Sequence, residues 1–154
     1  PSNNNTMENL GLIPLTNFGE VVPNVYRSAQ PLFGYQYDWV KNVLDLKTIV
    51  NLRSEKNVDA RFCLKRGIES VTFGVKDHAS PTTAMAKEYM EFIKELKRPV
   101  LIHCLHGHGR TSTFSVLTKM AMGMSLDEAI QDEHNRFHYQ FRHHNQEKFL
   151  ESLT

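Results

Sequence analysis

Cysteine is scarce in this sequence, with only Cys63 and Cys104 among 154 residues. Two cysteines cannot form a disulfide framework, and without a second Cys-rich cluster they do not spell a structural zinc site. One of them is therefore available for reactivity. Long apolar runs are missing too: none approaches the roughly 20 residues a membrane helix needs, so no span is expected. No basic-then-apolar export signal precedes the fold. The chain opens on Pro1 rather than Met. The expectation is a soluble protein, periplasmic or secreted if an N-terminal signal has been removed and otherwise cytoplasmic. Charge of one sign is also lacking: Lys plus Arg number 18 against 17 Asp plus Glu, for a formal charge of +1. Neither half forms a basic tail, so nucleic acid is not an expected partner.

What is present fits a folded domain, because 40% of the residues are hydrophobic and 23% charged, a balance that excludes a disordered tail. Residues 1–7, with three consecutive asparagines, read as a loose terminus, and residues 8–154 as one domain. Strands are expected at Asn24–Arg27, Thr48–Leu52, Ser70–Val75 and Pro99–Cys104, where β-branched residues sit between breakers. Helices are expected at Tyr35–Leu46, Glu55–Arg66, Thr83–Lys97 and Arg110–Met122. Met85, Tyr89, Phe92, Ile93 and Leu96 fall on one face of the third. Gly123 stops the fourth, Ser125 and Glu128 form a capping box for the next, and a last helix covers about His143–Leu153. The fold class is α/β, a single domain with a central sheet of at least four strands flanked by helices. All eight histidines lie at or after His78. The run Glu133–His144 has His134 and His138 at i, i+4 but no convincing ligand set, and reads as a solvated connection between helices.

The chemistry concentrates in Val100-Leu101-Ile102-His103-Cys104-Leu105-His106-Gly107-His108-Gly109-Arg110-Thr111, a strand running through a glycine-containing loop into a helix. Backbone that turns sharply between a strand and a helix N-terminus aims successive N–H groups inward, and the helix dipole adds positive potential. A phosphate fits such a cradle. Gly107 and Gly109 permit the turn, and the planar fork of Arg110 can hold two phosphate oxygens. Cys104 stands at the mouth, where these groups would stabilise negative charge on its sulfur and make it a nucleophile. His103 is placed to fix the cysteine backbone by hydrogen bonding, and Thr111 to donate to the sulfur.

His-Cys, five residues, Arg and then Thr resembles the signature of the cysteine-dependent phosphatases of the protein-tyrosine-phosphatase superfamily, residue for residue at His103, Cys104, Arg110 and Thr111. The resemblance implies that superfamily's single-domain fold and hydrolysis in two steps through a phosphocysteine. It also implies an Asp that protonates the leaving oxygen and then activates water. Asp77 is the candidate, since it follows a strand and opens the loop Asp77-His78-Ala79-Ser80-Pro81-Thr82; Asp59 is the weaker alternative. The pattern Asp77-His78-x-x-Pro81-Thr82 resembles the acid loop of the compact tyrosine-phosphatase-like inositol phosphatases, the bacterial phytase-like enzymes. Asn17-Phe18, Val21 and Tyr26-Arg27-Ser28-Ala29-Gln30-Pro31 resemble the segment those enzymes share with dual-specificity phosphatases. Leu105 and His106 depart from the phytase-like loop.

The resemblance implies a metal-independent phosphomonoesterase acting on myo-inositol polyphosphates, with no cofactor. A dual-specificity phosphatase with a phosphoprotein substrate is the alternative, and a non-catalytic phosphate-binding module the less favoured reading. No segment resembles the loop that deepens the pocket of tyrosine-specific enzymes. A substrate with several phosphates needs cations around the cradle, and the candidates are Lys76, His78, His106 and Arg27, followed by Arg53 and His108, with Leu105, Gly107 and Gly109 completing the loop. Cys63, on a helix, reads as a packed small hydrophobe, with pairing to Cys104 as the other reading.

Overall fold

The computed structural model describes residues 11–137 and 144–153. The expected loose terminus at 1–7, His138, His143 and the side chain of His144 lie outside the described residues. Five strands, β1 (Gly19–Val22), β2 (Val25–Ser28), β3 (Thr48–Arg53), β4 (Glu69–Val75) and β5 (Val100–His103), form one sheet in the order β1-β2-β5-β3-β4. Helices α1 (Gly34–Asn42), α2 (Asp59–Arg66), α3 (Thr83–Glu95), α4 (Gly109–Ala121), α5 (Leu126–Phe137) and α6 (His144–Glu151) flank it. Only β1 runs antiparallel, paired with β2. Strands β2, β5, β3 and β4 are parallel. Their carboxyl ends therefore share one sheet edge, and the loops after them gather there, where open α/β sheets bind ligands.

Alternation along β5 builds two cores. Val100 and Ile102 face one way, into a cluster with Tyr89, Ile93, Phe114 and Leu117, while Leu101 faces Tyr37, Val40 and Leu46. Residues that alternate in a strand covered on both faces are apolar throughout, as Val100, Leu101 and Ile102 are. Helix α4 is enclosed on all sides, with every residue from Arg110 to Lys119 buried. At Ser125 and Glu128 the expected capping box forms, each backbone N–H meeting the other's side chain at 3.1–3.2 Å.

Five readings need correction. β1 was not foreseen, because Gly-Glu-Val-Val is short and polar at its start; it forms by folding back on β2. Asn24 is not in β2 but in the turn before it, with φ of 65°. The helix expected at Tyr35–Leu46 ends at Asn42, and the one expected at Glu55–Arg66 begins only at Asp59. The Asn51 carboxamide accounts for the second, accepting from Arg53 N at 3.0 Å and donating to Lys56 O at 2.9 Å, which bends residues 53–56 into a turn. Finally, the start of the Glu133–His144 run is not solvated, since Glu133 is fully buried between Arg27 and Lys119.

Candidate active site

The loop after β5 forms a cradle because each of its carbonyls is drawn away from the cavity. Cys104 O lies 3.0 Å from His103 Nδ1, Leu105 O accepts from Gln30 N at 3.0 Å, His106 O from Asn17 Nδ2 at 2.7 Å, and Gly107 O from Arg27 Nη2 at 3.2 Å. In a planar trans peptide the N–H points opposite to the C=O, so the amides of residues 105–108 turn toward the cavity. The start of α4 adds its own N–H groups. Four separate donors thus hold one anion site open.

Gly107 is required by this arrangement. Its φ is 79°, and a Cβ there would stand 2.8 Å from Ala29 N and 2.9 Å from Ser28 C. Gly107→Ala is therefore expected to lower stability by roughly 2 kcal/mol or more and to deform the cradle. Thermal unfolding and inorganic phosphate binding check it, and a variant with unchanged midpoint and phosphate affinity would refute it.

Cys104 sits at the floor, only 4% exposed, and accepts a hydrogen bond from Thr111 Oγ1 to its Sγ at 2.9 Å. Behind it, His103 Nε2 donates to Asp59 Oδ2 at 2.5 Å, and Asp59 also accepts from Tyr37 Oη at 2.5 Å and Gln30 Nε2 at 2.9 Å. Burial alone would raise the Asp59 carboxyl, but His103, Tyr37 and Gln30 outweigh it and hold the group below its usual range. Asp59 is fully buried and bound on both oxygens, which removes it as an alternative acid. It braces His103 instead. Cys63 packs against this second core, its thiol pushed up to about 12 by burial and by Asp59, and both cysteines are free.

Arg110 is held by a residue the sequence reading passed over. Its Nη1 donates to Glu55 Oε1 at 2.7 Å and to Val75 O at 2.9 Å, and its Nη2 to Glu55 Oε2 at 3.2 Å. Arg53 Nε donates to the same carboxylate at 2.9 Å, and Gln30 Oε1 accepts from Arg53 Nη1 at 2.9 Å. The hydrogen bond from Arg110, above all, lowers Glu55 to about 2. Arg53 is thus buried as a support for Glu55 and does not reach the rim as a ligand. Asp77 Oδ1 lies 3.6 Å from Arg110 Nη2, half exposed near the start of the loop after β4.

Asp77, His78, Cys104, Leu105, His106, His108, Gly109, Arg110 and Gln146 line one cavity. Lys76 is exposed beside it and does not line it. Arg27 also departs from the rim role. It is 2% exposed, salt-bridged to Glu133, bonded to Ser112 Oγ at 2.9 Å and laid over the Phe137 ring at 4.4 Å. Its work is to hold the Gly107 carbonyl. Sequence reasoning missed Glu55, Gln30, Glu133 and Gln146. The usable signal was position for Glu55, two residues past the carboxyl end of a parallel strand.

The model of the family described as the tyrosine phosphatase family matches residues 12–154. The chain belongs to this family. Among curated relatives, the inositol diphosphatase DSP3 of Arabidopsis thaliana is 27% identical over 128 residues, which are 79% of this chain and 62% of that protein. The inositol diphosphatase SIW14 of Saccharomyces cerevisiae is 28% identical over 140 residues, 86% of this chain and 49% of that one. The chain therefore spans about half to three-fifths of their length. The crystal structure of Tk-PTP in its active form superposes with a TM-score of 0.80 at 26% identity, covering 92% of this chain and 97% of the other. This tyrosine-phosphatase-family fold places the cradle, Arg110 and Asp77 around a single cavity, and among the described residues no helix is long and apolar enough to cross a membrane.

Proposed function

We propose that the chain hydrolyses inositol polyphosphates without a metal, through a phosphocysteine on Cys104, releasing the outer phosphate of a diphosphate carried on the ring. The observation that carries the reading is the Cys104 sulfur, bonded to Thr111 at the floor of a cavity from which the loop carbonyls of Cys104 to Gly107 are turned away. In the first step Sγ attacks phosphorus, the bond to the leaving oxygen breaks as the Asp77 proton passes to that oxygen, and the cradle amides with Arg110 hold the equatorial oxygens. In the second, water attacks phosphorus, its proton passes to Asp77, and the S–P bond breaks to return the thiolate, which the Thr111 hydroxyl stabilises. His78, His106 and His108, around the cavity, meet the neighbouring phosphates; exposed Lys76 adds attraction at longer range.

The curated relatives DSP3 and SIW14, both named inositol diphosphatases, support the diphosphate. A ring monoester, as in a phytase-like enzyme, is the second reading, and the position of Asp77 favours it, because an alkoxide leaves only with a proton whereas a phosphate leaves readily without one. Asp77→Asn is accordingly expected to lower kcat/KM, which reports the leaving-group step, by about 10²-fold on an alkyl phosphate and far less on an inositol diphosphate. Equal turnover of the alkyl phosphate by wild type and variant would remove Asp77 from the acid role. The substrate itself is tested by comparing kcat/KM for a diphosphoinositol polyphosphate, inositol hexakisphosphate and phosphotyrosine and phosphoserine peptides. An inositol substrate ahead by more than about tenfold supports the reading; a phosphopeptide ahead makes the chain a dual-specificity phosphatase.

A further inference from the structure

The turn that carries Asp77 fixes its own shape but not its place. Ala79 N donates to Lys76 O at 3.0 Å and His78 N to Asp77 Oδ1 at 3.0 Å, both within the turn. The two carbonyls that follow Asp77 are taken by α6. Asn145 Nδ2 donates to His78 O at 3.1 Å, and Gln146 Nε2 donates to Ala79 O at 3.3 Å.

Gln146 is an unexpected residue to find there. It is 1% exposed, lines the cavity with Cys104, Gly109 and Arg110, and keeps its Oε1 buried without a partner. An unmet buried acceptor is costly, and a methionine of similar volume would avoid it. The bond from the other end of the carboxamide to the acid turn is what a methionine could not make. Gly109 is fitted to the same arrangement, since a Cβ there would stand 2.7 Å from Gln146 Nε2 and 2.8 Å from Oε1. The bare Cα lets the carboxamide lie against the first residue of α4. One side chain thereby touches both the cradle and the turn that carries the acid.

From this we infer that Asn145 and Gln146 act as a clasp through which α6 sets the position of Asp77 relative to the cradle, making them positioning residues for proton transfer. The inference rests on Asp77 as the acid. A misplacement of about 1 Å is enough to cost up to 10²-fold when a proton must pass along a short hydrogen bond, and costs little when the leaving group needs no proton.

The test compares wild type, Gln146→Met, Asp77→Asn and the double variant on glycerol phosphate, a poor leaving group, and para-nitrophenyl phosphate, a good one. Gln146→Met is expected to lower kcat on glycerol phosphate by about 10- to 10²-fold with KM unchanged. It should leave kcat/KM for para-nitrophenyl phosphate, which reports the first step alone, nearly untouched and add nothing in the Asp77→Asn background. Asn145→Ala, on an exposed side chain that puts folding at little risk, should show the same selective loss in milder form. Equal losses on both substrates, or losses that add to those of Asp77→Asn, would make Gln146 a packing residue and overturn the clasp. If Asp77→Asn is impaired and both α6 variants are not, the clasp alone fails. If Asp77→Asn has no effect, the acid assignment fails and the clasp with it.

Discussion

Cys104→Ser should abolish turnover, with kcat falling by at least about 10⁴-fold on every substrate, because a hydroxyl in the same place is a far weaker nucleophile at neutral pH. Binding should survive. The four donors that turn the loop carbonyls outward come from Gln30, Asn17, Arg27 and His103 and do not involve the sulfur. Inorganic phosphate and unreacted substrate are thus expected to bind the variant about as well as wild type, by calorimetry. A variant that keeps more than about one per cent of wild-type kcat would contradict nucleophilic catalysis at Cys104. One that loses phosphate affinity and folding together would show that the sulfur also supports the loop.

Arg110→Lys should be nearly as damaging, with kcat/KM reduced by about 10²–10³-fold. The guanidinium has donors for Glu55, for the Val75 carbonyl and for phosphate oxygens at once, whereas an ammonium is a point charge with no fork. Steady-state kinetics on a diphosphoinositol polyphosphate checks it, and a loss of less than tenfold would mean charge without geometry suffices. Glu55 gives the same tie a pH signature. Held at about 2 in the folded protein against an ordinary 4.5, it contributes stability that is present above the ordinary value and disappears as pH falls from there toward 2. With 41% of its side chain exposed, water screens the pair and that contribution is small. Arg110→Lys should weaken the dependence in that window, seen as a smaller shift of thermal midpoint between pH 5 and 3.

The architecture was legible where local pattern and tertiary role agree. The strands expected at Pro99–Cys104 and Ser70–Val75 form at Val100–His103 and Glu69–Val75, and Tyr89 and Ile93 of the α3 stripe are buried, because β-branched runs between breakers and amphipathic helices leave local patterns in sequence. Asn17, Gln30, Glu55 and Gln146 left no such pattern that tells what each one binds. Each acts through a polar side chain whose partner lies 23 to 89 residues away, and such pairings are set by the sheet order rather than by spacing. Arg27 shows the converse hazard. A cation after a strand at the ligand-binding edge looks like a phosphate ligand, yet Glu133, arriving from α5, draws it into the interior. Lys119 was equally hidden: it sits on the fully enclosed α4 and is satisfied by Asp132 at 3.0 Å and Glu133 at 2.9 Å.

The most direct test of the account is a rapid acid quench during turnover of a diphosphoinositol polyphosphate, followed by mass spectrometry of the peptide that contains Cys104. A population of that peptide heavier by one phosphoryl group is expected, absent in Cys104→Ser and enriched in Asp77→Asn, where hydrolysis of the intermediate is slowed. Full turnover with no phosphoryl group on Cys104 at any quench time, or the group found on another residue, would contradict it.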